Sequence, residues 1–234
     1  MTTLLLVRHG RTAANAGGVL AGWTPGVHLD DTGRQQAVRL GERLAPVPLA
    51  AVVTSPLERT RETAEALVAG RDPAPPLEVD DRLAECRYGD WTGRDLKSLA
   101  KEPLWKTVQA HPSAAVFPGE DGEPMAAMAA RAVAAVRDWN QRLGEDAVYA
   151  AVSHGDVIKA ILADALGLHL DQFQRLQVDP CSVSVVRYTP LRPFVVRVND
   201  VGGDVSSLVP PPPKRRGRRA RPASSDAVVG GGAG

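Results

Sequence analysis

Three short apolar runs, each ending abruptly in polar residues, constrain the fold of this 234-residue chain more than any other feature. They are TLLLVRHG at 3–10, AAVVTSPLER at 50–59 and AVYAAVSHG at 147–155. Continuous apolar runs of this length are typical of strands that are buried on both faces, as in parallel sheets. Ligands bind at the carboxyl ends of such strands. The pattern therefore predicts that the polar residues after the three runs meet at one edge of a sheet.

Segments with helical periodicity lie between and after these runs. Helices are predicted over 32–45, over 56–69 with Ser55 as N-cap in a capping box, from about 124 to 143, and over 155–166 with Gly167 as the stop. Two late β-rich runs, CSVSVVRYT and FVVRVND, predict a hairpin or a sheet edge. The alternation predicts a single three-layer α/β domain over 1–203, with a largely parallel central sheet flanked by helices.

Residues 204–234 differ in composition from the rest of the chain. They contain a polyproline run, a basic cluster and a glycine-rich end without periodicity, and we expect them to be disordered. Six of the 28 basic residues, but only one of the 27 acidic ones, lie from Pro210 onward, so the remaining chain is mildly acidic. A solubilising tail is the favoured interpretation, and a nucleic-acid-binding protein is the weaker hypothesis because basic and aromatic residues do not alternate.

Several classes of protein do not fit the sequence. No apolar run approaches the roughly 20 residues that span a bilayer, and the start lacks the basic region of a signal peptide. Cys86 and Cys181 form neither a disulfide framework nor a C-x-x-C pair, which favours the cytoplasm. His28, His111 and His169 lack the spacing of metal ligands, so we expect no zinc site. The sequence leaves a homo-oligomer open.

The side chains after the apolar runs suit phosphoryl transfer, which depends on positioning and on clamping negative charge. Arg8 and Arg59 can bind phosphate oxygens bidentately. His9 can attack phosphorus and form a covalent intermediate, and His154 can add positive charge beside a phosphate. Glu85 is a candidate for donating a proton to the leaving oxygen. Taken alone, each residue also has an ordinary structural interpretation, such as a buried histidine or a surface carboxylate.

Five sequence blocks together strengthen the functional interpretation. LVRHGRT, LDDTGRQQA, SPLERTRETA, RLAECRYGDWTG and VSHGDVIK occur in this order between residue 4 and about residue 160. The chain resembles the histidine phosphatase superfamily, also called the phosphoglycerate mutase-like superfamily. A lone R-H-G would be a weak match, whereas five ordered blocks are a specific one. The resemblance implies a phosphoglycerate mutase-like fold and hydrolysis of phosphomonoesters through a phosphohistidine, without metal or cofactor.

The resemblance also implies roles for individual residues. It makes His9 the nucleophile and Glu85 the acid/base, with Arg8, Arg59 and His154 as the phosphate pocket. Arg11 stands where relatives commonly have Glu or Gln, so we expect it to attract a further negative charge. The other positions that we predict to contact substrate are Thr12, Asn15, Gly155, Arg87 and Tyr88.

The choice between phosphatase and mutase depends on a few positions. ECRYG is similar to the E-R-H-Y-G of the cofactor-dependent mutases, but Cys86 replaces the arginine that helps to bind a second acidic group there. DWTG resembles the W-x-G of the phosphatase branch, and the mutases' double-arginine segment is absent from 94–124. We therefore predict a phosphatase that acts on a small phosphorylated metabolite. The alternatives are a phosphoglycerate mutase-type phosphotransferase and a tail-mediated binding protein with a vestigial site.

Overall fold

The apolar runs of the sequence form the central strands of a six-stranded sheet in the computed structural model, which describes residues 1–203 and Gly230. The strands are β1 (Thr2–Arg8), β2 (Ala51–Thr54), β3 (Leu77–Val79), β4 (Val148–Ser153), β5 (Val183–Tyr188) and β6 (Pro193–Asp200). The helices are α1 (Ala13–Gly17), α2 (Asp31–Leu44), α3 (Glu58–Val68), α4 (Leu96–Leu99), α5 (Pro103–Ala110), α6 (Met125–Leu143) and α7 (Gly155–Leu166). Short 3₁₀ turns lie at Asp81–Leu83, Gly89–Trp91, Pro112–Ala114 and Leu170–Arg175.

The sheet has the strand order β3-β2-β4-β1-β5-β6. Strand β4 lies between β1 and β2 and is parallel to both, and β3 extends the parallel part at one edge. Strands β5 and β6 form an antiparallel hairpin on the other side of β1. This mixed, mostly parallel sheet flanked by helices confirms the predicted α/β fold class. Strand β3 was not predicted, because its three residues are exposed and form no apolar run.

Alternate residues of β1 enter two separate hydrophobic clusters. Leu4 and Leu6 pack into the cluster that contains the buried faces of α6 and α7. Leu5 and Val7 pack into the cluster that contains those of α2 and α3. Successive side chains of a strand point to opposite faces of a sheet, so an unbroken apolar run is needed only where both faces are covered. The two clusters are the physical reason for the pattern LLLV.

Two close glycines fix the segment that follows β1. A Cβ atom on Gly10 would lie 2.6 Å from the carbonyl oxygen of Gly33, and one on Gly33 would lie 2.0 Å from the carbonyl oxygen of Arg11. Both approaches are shorter than any real Cβ contact, so only glycine fits at either position. The first turn of α2 therefore packs directly against the backbone next to His9.

The prediction that Ser55 caps the following helix is wrong. Helix α3 begins at Glu58 with Leu57 as its N-cap, whose side chain makes no capping hydrogen bond, and Ser55 accepts only from the amide of Leu57, over 3.4 Å. The Ser55 hydroxyl instead lies 2.8 Å from Nε2 of His154. The end of α7 is as predicted, because Gly167 adopts a left-handed conformation with φ of 67°.

The predicted disordered tail lies outside the described residues, apart from Gly230. In the part of the chain that the structure describes, no helix has both the length and the apolar character needed to cross a bilayer. Cys86 and Cys181 are both buried free thiols.

Candidate active site

The carboxyl ends of β1, β2 and β4 lie side by side and bring the predicted polar residues together. His9 follows β1, Ser55 follows β2 and His154 follows β4, and all three side chains are buried. The ring centroids of His9 and His154 lie 5.3 Å apart, with an angle of 59° between the ring planes. Because parallel neighbouring strands end at the same edge of a sheet, one small ligand can contact the imidazoles of both His9 and His154.

His9 is a neutral imidazole that uses one ring nitrogen in a hydrogen bond within the described residues 1–203 and Gly230. Its Nδ1 lies 2.7 Å from the carbonyl oxygen of Gly10. A carbonyl can only accept a hydrogen bond, so Nδ1 bears the proton and Nε2 bears the lone pair. Burial lowers the pKa of His9 well below its ordinary value, and Arg59 and Arg8 lower it further. The site thus presents a neutral nitrogen nucleophile at neutral pH.

Arg59 is buried and reaches the same pocket from the first turn of α3. Its Nη2 donates a hydrogen bond to the carbonyl of Gly22 over 2.8 Å and lies 3.3 Å from Nδ1 of His154. Its Nη1 is buried and has no hydrogen-bond partner among residues 1–203 and Gly230. A buried donor without a partner is costly, so this nitrogen is a ready site for a phosphoryl oxygen.

The hydrogen bonds around His154 define its tautomer. A guanidinium has no acceptor, so Nδ1 of His154 accepts from Arg59 and Nε2 donates to Ser55. Burial lowers the pKa of His154 well below its ordinary value, with Arg59 and His9 adding to the effect. A bound phosphoryl group would oppose that effect through its negative charge. The prediction that His154 becomes protonated beside a phosphate stays a prediction.

Glu85 is a buried carboxyl group that lines the same pocket as His9 and lies close to His154. Its Oε1 accepts a hydrogen bond of 3.0 Å from the amide of Cys86, and its Oε2 lies 3.9 Å from Nδ1 of His154. Burial raises the pKa of Glu85 to about 7, and the charge of Asp156 adds to the rise, whereas Arg59 opposes it. A carboxyl group that holds its proton near neutral pH can serve as a general acid.

The loop that contains Glu85 is tied down by residues that the sequence reasoning missed. Arg131 of α6 donates hydrogen bonds to the carbonyls of Arg82, Ala84 and Glu85, at 2.8, 2.8 and 3.0 Å. Trp23 donates from its indole nitrogen to the carbonyl of Glu85 over 2.7 Å. The backbone of Glu85 is thereby fixed from two sides. Arg131 is the one charged residue within the stretch MAAMAARAVAAV. This isolated charge in an apolar helix could have identified it from the sequence.

With the geometry defined, comparison with known proteins decides the family. A family model described as the histidine phosphatase superfamily (branch 1) matches residues 4–201. The chain belongs to this superfamily. The five ordered sequence blocks therefore identified the family correctly.

Relatives within the histidine phosphatase superfamily differ in the reactions their names state. "Probable phosphoglycerate mutase GpmB" of Erwinia tasmaniensis is 33% identical over 217 residues, covering 89% of this chain and 95% of its own. "Glucosyl-3-phosphoglycerate phosphatase" of Mycolicibacterium vanbaalenii is 32% identical over 182 residues, covering 73% and 76%. Among solved structures, Bacillus stearothermophilus YhfR has a TM-score of 0.78 and 32% identity, covering 86% of this chain and 98% of its own.

Four further predicted contacts of this histidine phosphatase lie at or next to the pocket. Thr12 and Asn15 line it, and their side chains cap the short helix α1 through reciprocal hydrogen bonds. Tyr88 also lines the pocket, and its hydroxyl donates to Asp156 over 2.9 Å. Gly155 is the first residue of α7, whose positive dipole end starts at His154. These residues surround the two histidines.

Arg11 and Arg87 lie elsewhere. The guanidinium of Arg11 donates to Asp30 and to Thr32, each over 2.8 Å, at the start of α2. Its partner is thus a carboxylate of the protein rather than the substrate anion that the sequence predicts. Arg87 is exposed and its guanidinium lies 4.0 Å from the ring centroid of Trp23. It borders a separate surface cavity of about 480 Å³ next to the active site.

The structure adds two residues to the pocket that no sequence signal indicated. Asp156 is fully buried behind Tyr88, and Gly230 lines the pocket. The carbonyl oxygen of Gly230 accepts a hydrogen bond of 3.4 Å from Nη2 of Arg8, and its amide donates one of 3.0 Å to Asp156. With Gly230 in place, the free volume of the pocket is about 30 Å³, so Gly230 limits the space that is open to a ligand.

The donor set of the pocket does not resemble a metal site. Over residues 1–203 and Gly230, no group of three or more histidines, cysteines or acidic residues has an arrangement that could hold a metal ion. The pocket is lined instead by His9 and Arg59, with Arg8 and His154 buried next to them, and arginines are suited to an anion.

Proposed function

We propose that this histidine phosphatase hydrolyses small phosphomonoesters through a phosphohistidine at His9. The supporting observation is that His9, whose Nε2 bears a lone pair, lines one pocket with Arg59, whose Nη1 has no hydrogen-bond partner among the described residues 1–203 and Gly230. A nucleophile and an anion clamp in one buried pocket are the two elements that phosphoryl transfer requires.

In the first step, Nε2 of His9 attacks phosphorus and the bond from phosphorus to the ester oxygen breaks. Arg8 and Arg59 bind the other phosphoryl oxygens and stabilise their charge in a buried pocket, and His154 joins them once the phosphoryl charge has favoured protonation of its Nδ1. Glu85, which is partly protonated at neutral pH because burial raises its pKa to about 7, gives its proton to the departing alkoxide. The products of this step are an alcohol, a phospho-His9 and the Glu85 carboxylate.

In the second step, water attacks the phosphorus of phospho-His9. The Glu85 carboxylate takes one proton from this water, and the bond between phosphorus and Nε2 breaks. Inorganic phosphate leaves, and both His9 and protonated Glu85 are regenerated. Every proton is accounted for by Glu85 and water, and no step of the proposed cycle uses a metal or cofactor.

The second candidate is a mutase, which the similarity to the Erwinia tasmaniensis relative favours. A mutase has to bind a second acidic group of the substrate. Cys86, at the position where mutases have an arginine, is fully buried in the hydrophobic core, and burial raises the pKa of its thiol. The position thus offers no cation, which supports the phosphatase. A dominant isomerised phosphoglycerate product would favour the mutase.

The substrate and location follow from the same features. Similarity to the glucosyl-3-phosphoglycerate phosphatase of Mycolicibacterium vanbaalenii supports a small phosphorylated metabolite as the substrate. Two buried free thiols support a reducing compartment, for which the cytoplasm is our proposal.

The proposed function is tested by trapping the covalent intermediate. Brief incubation with ³²P-labelled substrate, followed by acid-free denaturation, should yield a phosphoprotein that is labile in acid and stable in base. His9→Ala should abolish both labelling and turnover. His28→Ala is the matched control, because His28 is exposed and pairs with Glu62 outside the pocket. Undiminished turnover by His9→Ala, or labelling that survives in it, would contradict the assignment.

A further inference from the structure

Asp156 is a buried carboxylate beside the phosphate-binding residues, and the two-step reaction above gives it no role. It is fully buried in the first turn of α7, directly after the S-H-G motif. Its Oδ2 accepts the hydroxyl of Tyr88 over 2.9 Å. Its Oδ1 is buried without a hydrogen-bond partner among residues 1–203 and Gly230, and Nζ of Lys159 lies 3.9 Å away. Such a carboxylate has spare capacity to accept hydrogen bonds.

Gly230 shows what kind of group this position accepts. Its amide N–H donates to Oδ2 of Asp156 over 3.0 Å, while its carbonyl oxygen accepts from Nη2 of Arg8 over 3.4 Å. One small group thus provides an oxygen to the arginine and a donor to the carboxylate. The pocket therefore has two adjoining parts, one for an oxygen bound by Arg8 and one for a donor bound by Asp156.

We propose that Asp156 is a specificity-determining residue that binds a hydroxyl or ammonium donor on the leaving group. The favoured substrates are then phosphomonoesters of small alcohols that have such a donor close to the ester oxygen and lack a second acidic group. This inference rests on the proposed phosphatase function and narrows its substrate class.

The charges around Asp156 give the reason for excluding a second acid. A substrate carboxylate in this position would face the Asp156 carboxylate, and like charges in a buried site repel strongly. Lys159 is already the counter-ion of Asp156, with its Nζ 3.9 Å from Oδ1 of that carboxylate, and it also donates to Gln174 over 3.0 Å. Cys86 supplies no positive charge where mutases have an arginine. A neutral or cationic donor meets none of these costs.

The test uses four phosphate esters that share a two-carbon skeleton. They are ethyl phosphate, 2-hydroxyethyl phosphate, 2-aminoethyl phosphate and phosphoglycolate, and the measurement is kcat/KM for phosphate release by the full-length protein. The hydroxyl and amino esters should exceed ethyl phosphate by about ten- to a hundredfold, which is the range for a hydrogen bond to a charged group. Phosphoglycolate should be the poorest substrate of the four.

Asp156→Asn supplies the decisive comparison, because asparagine keeps the shape and an acceptor oxygen but removes the charge. The preference for 2-aminoethyl over ethyl phosphate should fall at least fivefold, and phosphoglycolate should improve relative to ethyl phosphate. Asp164→Asn, an exposed position on the same helix, should leave all ratios as in the wild type. Circular dichroism spectra and melting curves of both variants verify folding.

Two results would overturn the inference while leaving the phosphatase intact. One is a wild-type protein that hydrolyses all four esters with equal kcat/KM, and the other is a donor preference that Asp156→Asn leaves unchanged. Failure of the proposed function looks different, because the wild type would then release no phosphate from any of the four esters or from nitrophenyl phosphate.

Discussion

Replacing Glu85 by glutamine should stabilise the folded protein, and the gain should depend on pH. The folded chain keeps the Glu85 proton up to a pH of about 7, because burial and Asp156 raise the pKa of this carboxyl group. The unfolded chain releases the same proton near its ordinary pKa of 4.5. Between these values the unfolded state binds fewer protons, so raising the pH favours unfolding. Glutamine has no proton to release, so its folding free energy does not decrease with pH in this way.

The size of the effect follows from the two pKa values. A rise in pKa from 4.5 to about 7 corresponds to about 3 kcal/mol of folding free energy once the group is fully ionised in both states. Glu85 is only 3% exposed, so solvent screening does not reduce this figure much. About 1 kcal/mol of it already applies at pH 5. The stability difference between Glu85→Gln and wild type should therefore grow by about 2 to 3 kcal/mol from pH 5 to pH 8.

Urea unfolding followed by tryptophan fluorescence measures this difference, since the chain contains four tryptophans. The other titrating groups are common to both proteins, so most of their contribution cancels in the difference at each pH. Glu65→Gln is the control, because Glu65 is an exposed carboxylate of α3, and its curve should run parallel to that of the wild type. A Glu85→Gln curve that also runs parallel would refute the raised pKa and, with it, the basis for Glu85 as an acid at neutral pH.

Three further outcomes are expected from the same geometry. Glu85→Gln should lower kcat/KM for an alkyl phosphate by about 10²- to 10⁴-fold but should affect nitrophenyl phosphate far less. Arg59→Ala should lower kcat/KM for both substrates. Equal losses for the two substrates in Glu85→Gln would mean that another group donates the proton. EDTA should leave hydrolysis unchanged, while vanadate should inhibit as a five-coordinate mimic of the transferring phosphoryl group; rescue of a chelated protein by zinc would contradict this. Gly230→Val should lower KM severalfold for nitrophenyl phosphate, because Gly230 has a φ of 73°, which strains a β-branched residue and disfavours its place in the pocket. An unchanged KM would show that Gly230 does not compete with substrate.

Sequence reasoning succeeded where a local pattern has a single structural explanation. The run LLLV of β1 needs two covered faces, and this need predicts a central strand without any knowledge of its neighbours. The polar residues after β1, β2 and β4 meet because parallel neighbours end at one edge. Strand order was not predictable in this way, because β1 and β4 are separated by most of the chain.

Predictions from local sequence patterns are wrong where a long-range contact competes with a local rule. A serine before proline and three residues before glutamate fits a capping box, but Ser55 bonds to His154, which lies 99 positions away in the sequence. Asp156 next to S-H-G gives no local sign that it will meet Tyr88, 68 positions earlier. Local rules describe the hydrogen bonds that a side chain can form with its own helix. They contain no information about a hydrogen-bond partner that a distant part of the chain provides.

One physical cause accounts for the protonation states of both reactive groups. Burial disfavours any charged form, so it lowers the pKa of a histidine and raises that of a carboxyl group. His9 and Glu85 occupy the same dry pocket, and burial is the largest contribution to each shift. The nearby arginines act in opposite senses on the catalytic pair, since they help to keep His9 neutral but pull Glu85 toward its ionised form. A neutral nucleophile and a protonated acid can therefore coexist near pH 7 only while the pocket stays dry, and Asp156 offsets part of the arginines' effect on Glu85. The carboxylate that we assign to substrate recognition thus also supports the acid that completes the first step.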